Sequence, residues 1–149
     1  MNNTASVLVL VFLAITFLMS AHDKIFHWND NMAWMKPHFE KTFVKNYVPF
    51  LVGFLLLFEL IAGICSSIGV VELYVNGGRL FGFYGAVYSC ISLLMILFGQ
   101  RLAKDYDGAR TIAIYFVPAI LGVFFFIYLQ TRPVHFQFVP SKFIAIFFF

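Results

Sequence analysis

The sequence predicts an all-α membrane protein: a polytopic bundle of four transmembrane helices, with an amphipathic interfacial segment between helices 1 and 2. The chain of 149 residues is 62% apolar and only 11% charged, whereas soluble domains are roughly 45–50% apolar and about a quarter charged. Four runs reach or approach about 20 apolar residues, the length that a spanning helix requires. We expect helices at about residues 5–27, 47–75, 79–104 and 110–130. They make one domain over 1–130, followed by an aromatic tail over 131–149.

The first helix begins with an uncharged apolar run and ends in the polar stretch SAHDKIFHW. The run has neither a basic segment before it nor an A-x-A cleavage site after it, so we expect a retained helix rather than a signal peptide. Thr16, Ser20, Asp23 and His27 follow helical spacing and share one side. This polar stripe is either a helix end that enters water or a face that points into the bundle.

The segment between the first two spanning helices alternates aromatic and apolar residues with charged ones over residues 28–47. Tryptophans and lysines of this kind lie at the level of the lipid headgroups. Pro37 argues against one long helix. We expect one or two short amphipathic helices that lie along the interface or close over a site as a lid.

Small residues recur at spacings of three and four in the second and third helices. Lipid provides no hydrophobic drive for helices to associate, so small residues that allow close backbone approach supply the packing. The short turn VNGGRL makes the two helices an antiparallel hairpin, and their small faces are expected to meet. The predicted packing residues are Gly63, Ser66, Gly85, Ser89 and Ser92. Pro118 is expected to kink the fourth helix.

Cysteine and histidine spacing excludes several classes of chemistry. Cys65 and Cys90 lie inside predicted helices without a C-x-x-C motif, so thioredoxin-like chemistry and covalent haem are not predicted. They are either packed small residues or a redox pair at similar depth. The histidines lack the spacing of metal or haem ligands. Motifs of nucleophilic hydrolases, nucleotide binding and nucleic-acid binding are absent as well.

Glu59 is the principal candidate for function. A carboxylate within the membrane is costly unless it is neutralised, hydrated or paired, so it marks a functional site by default. Because burial disfavours the charged form, Glu59 is a candidate to carry a proton. The alternative is a structural ion pair with Lys24 or Arg101.

A second group of polar residues follows the third helix in the stretch GQRLAKDYDGAR. On a four-helix topology this stretch lies on the same side as the end of the first helix. It is either a solvated loop, a site for anionic lipid headgroups, or part of one polar site at a mouth of the bundle. The residues of that predicted site are Asp23, Lys24, Glu59, Arg101, Lys104, Asp105 and Tyr106.

The distribution of basic residues predicts the orientation. Loops 21–47 and 101–110 share one side and carry seven of the ten lysines and arginines. Positive residues in short loops mark the cytoplasmic face. The sequence therefore predicts a multi-pass protein of the bacterial inner membrane with cytoplasmic loops and periplasmic termini.

Four features together resemble the DoxX family of small four-helix bacterial membrane proteins, especially its Bacteroidota-like members. They are the SAHDKIFHW stretch, Glu59 followed by a glycine-containing run, the NGGR turn and the FGQRLAKDYDGAR stretch. The resemblance covers nearly all of residues 5–130. The family is named for its similarity to a subunit of a thiosulfate:quinone oxidoreductase, so the resemblance implies a redox-linked accessory protein.

These observations favour an accessory or structural subunit of a larger membrane complex, with the tail 131–149 as a possible contact to other membrane subunits. The alternative is a quinone- or lipid-interacting oxidoreductase component in which Glu59 handles a proton and quinone is the cofactor. There the aromatic loop and the small-residue groove would hold an isoprenoid. A third hypothesis is a small transporter that oligomerises around Glu59. Whether the protein is an enzyme is left open, and no nucleic-acid partner is expected.

Overall fold

The computed structural model describes residues 4–130, which form five α-helices and, within that range, no strand. The helices are α1 Thr4–Phe26, α2 Trp28–His38, α3 Val48–Val75, α4 Leu80–Leu102 and α5 Tyr106–Gln130. All except α2 are long and apolar enough to cross a membrane. The predicted all-α bundle of four transmembrane helices is confirmed, and the chain is a small multi-pass integral membrane protein. The tail 131–149 lies outside the described residues.

The four spanning helices run up and down in chain order. The main interfaces join α1 to α3, α3 to α4 and α4 to α5, and a smaller interface between α1 and α5 closes the bundle. Contacts between Gly69 and Leu10 and between Gly63 and Leu18 show that α1 and α3 are antiparallel. The end of α1, the start of α3 and the end of α4 therefore lie at the same end of the bundle.

Close backbone approach joins α3 to α4. A Cβ atom on Gly69 would lie 2.5 Å from the Cα of Gly82, and one on Gly85 would lie 2.7 Å from the backbone nitrogen of Ser66. Backbone atoms in packed helices cannot move aside as a flexible side chain can, so these positions tolerate only glycine. Gly63 does not face α4, because its nearest neighbour is Leu18 of α1.

The hydroxyl groups of the buried serines of α4 donate hydrogen bonds to carbonyls of their own helix. Ser89 donates to the carbonyl of Gly85 at 2.7 Å, and Ser92 donates to the carbonyl of Tyr88 at 2.9 Å. Both side chains are fully buried. They can therefore lie in the apolar interior as small residues without a partner on another helix.

The turn between α3 and α4 is held by two hydrogen bonds to side chains and by a glycine. Gly77 has a φ of +69°, a left-handed conformation that glycine adopts readily. The backbone N–H of Gly78 donates to Asn76 Oδ1 at 2.8 Å, and that of Phe81 donates to Glu72 Oε2 at 3.0 Å. The predicted antiparallel hairpin is therefore closed by two side chains that precede its glycines and accept from backbone N–H groups of the turn and of α4.

The interfacial segment contains one helix rather than two, and Pro37 lies in its last turn. Helix α2 is held against the start of α3 by a small apolar cluster of Met32, Val48 and Val52, with Trp28, Met35 and Phe39 packed around it. Trp34 remains 64% exposed. This arrangement has the form of an amphipathic helix with one face on the bundle.

Helix α5 begins at Tyr106, four residues before the predicted start at 110. Asp105 Oδ1 accepts a hydrogen bond from the backbone N–H of Gly108 at 2.9 Å, which is the geometry of a helix N-cap. Residues 101–110 are therefore mostly helical, and α4 and α5 are joined by a short connection in which Lys104 has a φ of +60°. Asp105 is a common type of N-cap residue, so the sequence contained a signal for the start of α5 at Tyr106. The helix continues through Pro118 without a break.

The cap gives a direct prediction. Asp105→Ala is expected to lower the free energy of unfolding by about 0.5–2 kcal/mol, because it removes the acceptor for a terminal N–H. Asp105→Asn retains an acceptor and should be close to the wild type. Unfolding by SDS in mixed micelles, followed by circular dichroism, measures both. Equal stability of the alanine and asparagine variants would contradict the cap.

Candidate functional site

Glu59 is held by two residues near the end of α1. Lys24 Nζ donates to Glu59 Oε1 at 3.1 Å and lies 3.0 Å from Oε2, where it is close enough for an ion pair but not aligned for a second hydrogen bond. Ser20 Oγ donates to the same Oε1 at 3.1 Å and accepts from Lys24 Nζ at 2.7 Å. The three side chains form a closed triangle between α1 and α3.

The two charged members of this triangle are buried. Glu59 is 0% exposed and Lys24 is 8% exposed, although lysine is almost never buried without a partner. Ser20 and Lys24 are one helical turn apart, so both reach the same carboxylate. Of the two partners that the sequence proposed for Glu59, the structure places Lys24 there.

The polar stripe on α1 is divided between the interior and the surface. Ser20 faces Glu59, whereas Thr16 donates to the carbonyl of Phe12 in its own helix at 2.8 Å. Asp23 Oδ1 lies 3.2 Å from His27 Nδ1, and these side chains are 64% and 57% exposed. An exposed pair of this kind contributes little to stability. Each of the two interpretations of the stripe therefore holds for part of it.

Arg101 contacts neither Glu59 nor Asp23 in the described part of the chain. Its guanidinium carbon lies 5.3 Å from the centre of the Tyr106 ring, within the distance of a cation–π contact. Both residues are exposed, as is Lys104. The seven residues of the predicted polar site thus belong to separate local groups: the Lys24–Glu59 pair, the Asp23–His27 pair, the Arg101–Tyr106 contact, and Asp105 at the start of α5.

A cavity of about 400 Å³ lies between α2, the start of α3 and the end of α4. Its walls are almost entirely apolar, and neither lysine nor arginine lines it. Part of its rim is exposed on the bundle surface, including Trp34 and Phe98 at 64% and 63%. The lining includes the apolar residues Met35, Val52 and Met95 and the polar residues His38, Gln100 and Asp105. Glu59 is not among the lining residues.

The polar end of this cavity contains two unsatisfied atoms. His38 Nε2 lies 3.6 Å from Asp105 Oδ2, which is too long for a hydrogen bond. Both His38 Nε2 and Gln100 Oε1 are buried without a hydrogen-bond partner among the described residues. Such atoms are uncommon in folded proteins and need an explanation.

Sequence reasoning missed His38 and Gln100 as site residues. In the sequence, His38 stands out only as a possible metal ligand, and Gln100 only as part of a polar stretch. No spacing rule relates positions 38 and 100, because their proximity depends on how α2 folds back onto α3 and α4. The only usable sequence signal was the aromatic segment, which was interpreted as a possible lid.

The small-residue faces leave no groove for an isoprenoid at their centre, because Ser66 and Gly85 fill it by direct packing. Cys65 and Cys90 are free thiols, and Cys90 packs in the apolar core. Over residues 4–130 no group of three histidine, cysteine or acidic residues could hold a metal ion.

Comparison with known proteins found no match to this chain among protein-family models, curated proteins or solved structures.

Proposed function

We propose that this integral membrane protein is an accessory or structural subunit of a larger membrane complex, of the DoxX type. One observation carries the proposal. The acid that most invited a catalytic or transport role, Glu59, is fully buried and held by Lys24 and Ser20. Its carboxylate lines no part of the cavity beside α2, so no substrate held there would reach it.

A buried ion pair is weak evidence for stability, since removing two charges from water is expensive. Its best-attested use is to set one arrangement over others. Here the pair links α1 to α3 at a single register: sliding either helix by one turn, about 5.4 Å, would separate the charges. A fixed register preserves the shape of the outer surface, which is what a structural subunit presents to its neighbours.

The proposed setting is the bacterial inner membrane, with segments 21–47 and 101–110 on the cytoplasmic side and the termini in the periplasm. The excess of lysine and arginine in these segments supports this orientation. The proposed contact with other subunits is the tail 131–149, because it is rich in aromatic residues and carries two prolines.

The test is isolation from native membranes in polymer-bounded nanodiscs, without detergent, followed by native mass spectrometry. The full chain is expected to carry the same membrane partner at fixed stoichiometry in repeated preparations. The chain ending at residue 130 is the matched variant, and it should lose that partner while keeping its helical circular dichroism. Isolation of the full chain alone, or with variable partners in variable amounts, would refute the accessory role.

The cavity beside α2 favours a second candidate, a quinone- or lipid-interacting membrane component. As drawn from the sequence, this hypothesis gives Glu59 a proton-handling role at the ligand. The separation of Glu59 from the cavity lining supports binding without that role. Lipid extracts of the nanodisc preparation test it: a quinone in either redox state, or one single-chain lipid, recovered at one molecule per chain would favour this candidate over a purely structural subunit.

A further inference from the structure

We propose that the cavity beside α2 binds one neutral single-chain amphiphile whose head group carries a hydroxyl. This inference is independent of the accessory role, because it concerns the ligand of a cavity and not the protein partner. It rests on the shape of the cavity, the charge of its lining and the two unsatisfied atoms at its polar end.

The size and lining of the cavity indicate an apolar chain. Ligand pockets in proteins have volumes of about 300–1,000 Å³, and this cavity, at about 400 Å³, is near the lower limit. It therefore suits one chain better than a two-chain phospholipid. The exposed rim at Trp34, Phe54 and Phe98 opens the cavity to the lipid phase from which an amphiphile would enter.

The charges around the cavity favour a neutral head. Asp105 is the one carboxylate in the lining, and no lysine or arginine lies there to receive an anion. An anionic head would be repelled by Asp105 and poorly solvated. A cationic head would meet Asp105 and the Gln100 Oε1 acceptor, but it offers no acceptor and would leave the His38 Nε2 donor unpaired.

A hydroxyl group can both accept and donate a hydrogen bond at the polar end of the cavity. The Asp105 carboxylate near His38 favours the tautomer with a proton on Nε2, which makes that atom a donor. A ligand hydroxyl can accept from Nε2 and donate to Gln100 Oε1 or to Asp105 Oδ2. A quinone offers only acceptors and would leave Gln100 Oε1 without a partner. Long-chain alcohols, monoacylglycerols and quinols have the required chemistry.

The experiment uses the full chain in nanodiscs and three photoreactive probes with the same diazirine-bearing chain. Their heads are a glycerol ester, a carboxylate and a trimethylammonium group. After irradiation, peptide mass spectrometry locates the labelled residues. The glycerol probe is expected to label Met35, Val52 and Met95 about fivefold more than either charged probe, the ratio that one additional hydrogen bond supplies.

Two variants test the head-group contacts. Gln100→Leu removes the acceptor and His38→Phe removes the donor while keeping a ring that can stack on Trp34, which lies 5.0 Å from the His38 ring. Each should reduce glycerol-probe labelling of the cavity about fivefold. Neither should unfold the protein, since each replaces an unsatisfied buried atom with an apolar group. Thr111→Val, an exposed position outside the cavity, is the control and should label like the wild type.

Three results would overturn the proposal. The first is equal or stronger labelling of the cavity by a charged probe. The second is glycerol-probe labelling confined to outward-facing residues such as Phe124. The third is unchanged labelling in both variants while circular dichroism shows that they remain folded.

Discussion

Replacing Lys24 with methionine is expected to lower the free energy of unfolding by about 3–5 kcal/mol, because it leaves a buried charge without its partner. Glu59 is 0% exposed, and the Lys24 ammonium lies 3.0–3.1 Å from both of its oxygens. Ser20 would remain, but a hydrogen bond to a charged group contributes only about 1.5–3 kcal/mol. SDS-induced unfolding in mixed micelles, followed by circular dichroism, measures the loss.

Two further variants make this result specific to the pair. Lys24→Met combined with Glu59→Leu removes both charges, and replacing a buried pair with apolar groups is often neutral or stabilising, so the double variant should recover most of the loss. Asp107→Asn breaks an ion pair with Arg110 whose side chains are 91% and 77% exposed, and it should change stability little. If Lys24→Met were as stable as Asp107→Asn, the pair would not hold the bundle.

Gly69→Ala should be the second most damaging substitution, with a loss of stability near the upper end of about 1–3 kcal/mol, the usual range for overpacking. The added Cβ would lie 2.5 Å from the Cα of Gly82. The obstacle is backbone, so α3 and α4 must separate along their length. Their separation would also open the contact between Ser66 and Gly85.

Gly53→Ala is the matched control in the same helix. Its Cβ would meet only Trp28 Cη2 at 4.0 Å, which is ordinary contact. Alanine is favoured over glycine in a helix by about 1 kcal/mol, so this variant should be as stable as the wild type or more stable. The two variants are compared by the same SDS unfolding. Similar stability of both would show that the close approach of α3 and α4 is not required.

The elements of the fold followed from the sequence because lipid imposes simple rules on a chain. Every backbone polar group inside the membrane must be paired within its own segment, so long apolar runs become helices. The predicted bounds agree with α1 and α3 to within one residue. The start of α5 was predicted too late because the apolar pattern begins after the capped turn that Asp105 initiates.

Only part of the candidate site could be predicted from the sequence. The carboxylate could be identified from the sequence, since Glu59 within an apolar run must be neutralised or paired. Its partner could not, because Lys24 and Arg101 were both within reach on a four-helix topology. The choice depends on the register between α1 and α3, and that register depends on packing such as the contact of Leu18 with Gly63.

By itself, the sequence determined that residues 4–130 form four helices able to cross the membrane, that α3 and α4 form a hairpin, and that one acid is buried among apolar residues. Only the tertiary structure decided that Lys24 neutralises this acid, and that His38, Gln100 and Asp105 meet at the end of a cavity. The physical reason is the separation along the chain over which each kind of interaction acts. Hydrophobicity, turn chemistry and capping act between neighbours in the chain, whereas ion pairs and cavities join residues that helix packing alone brings together.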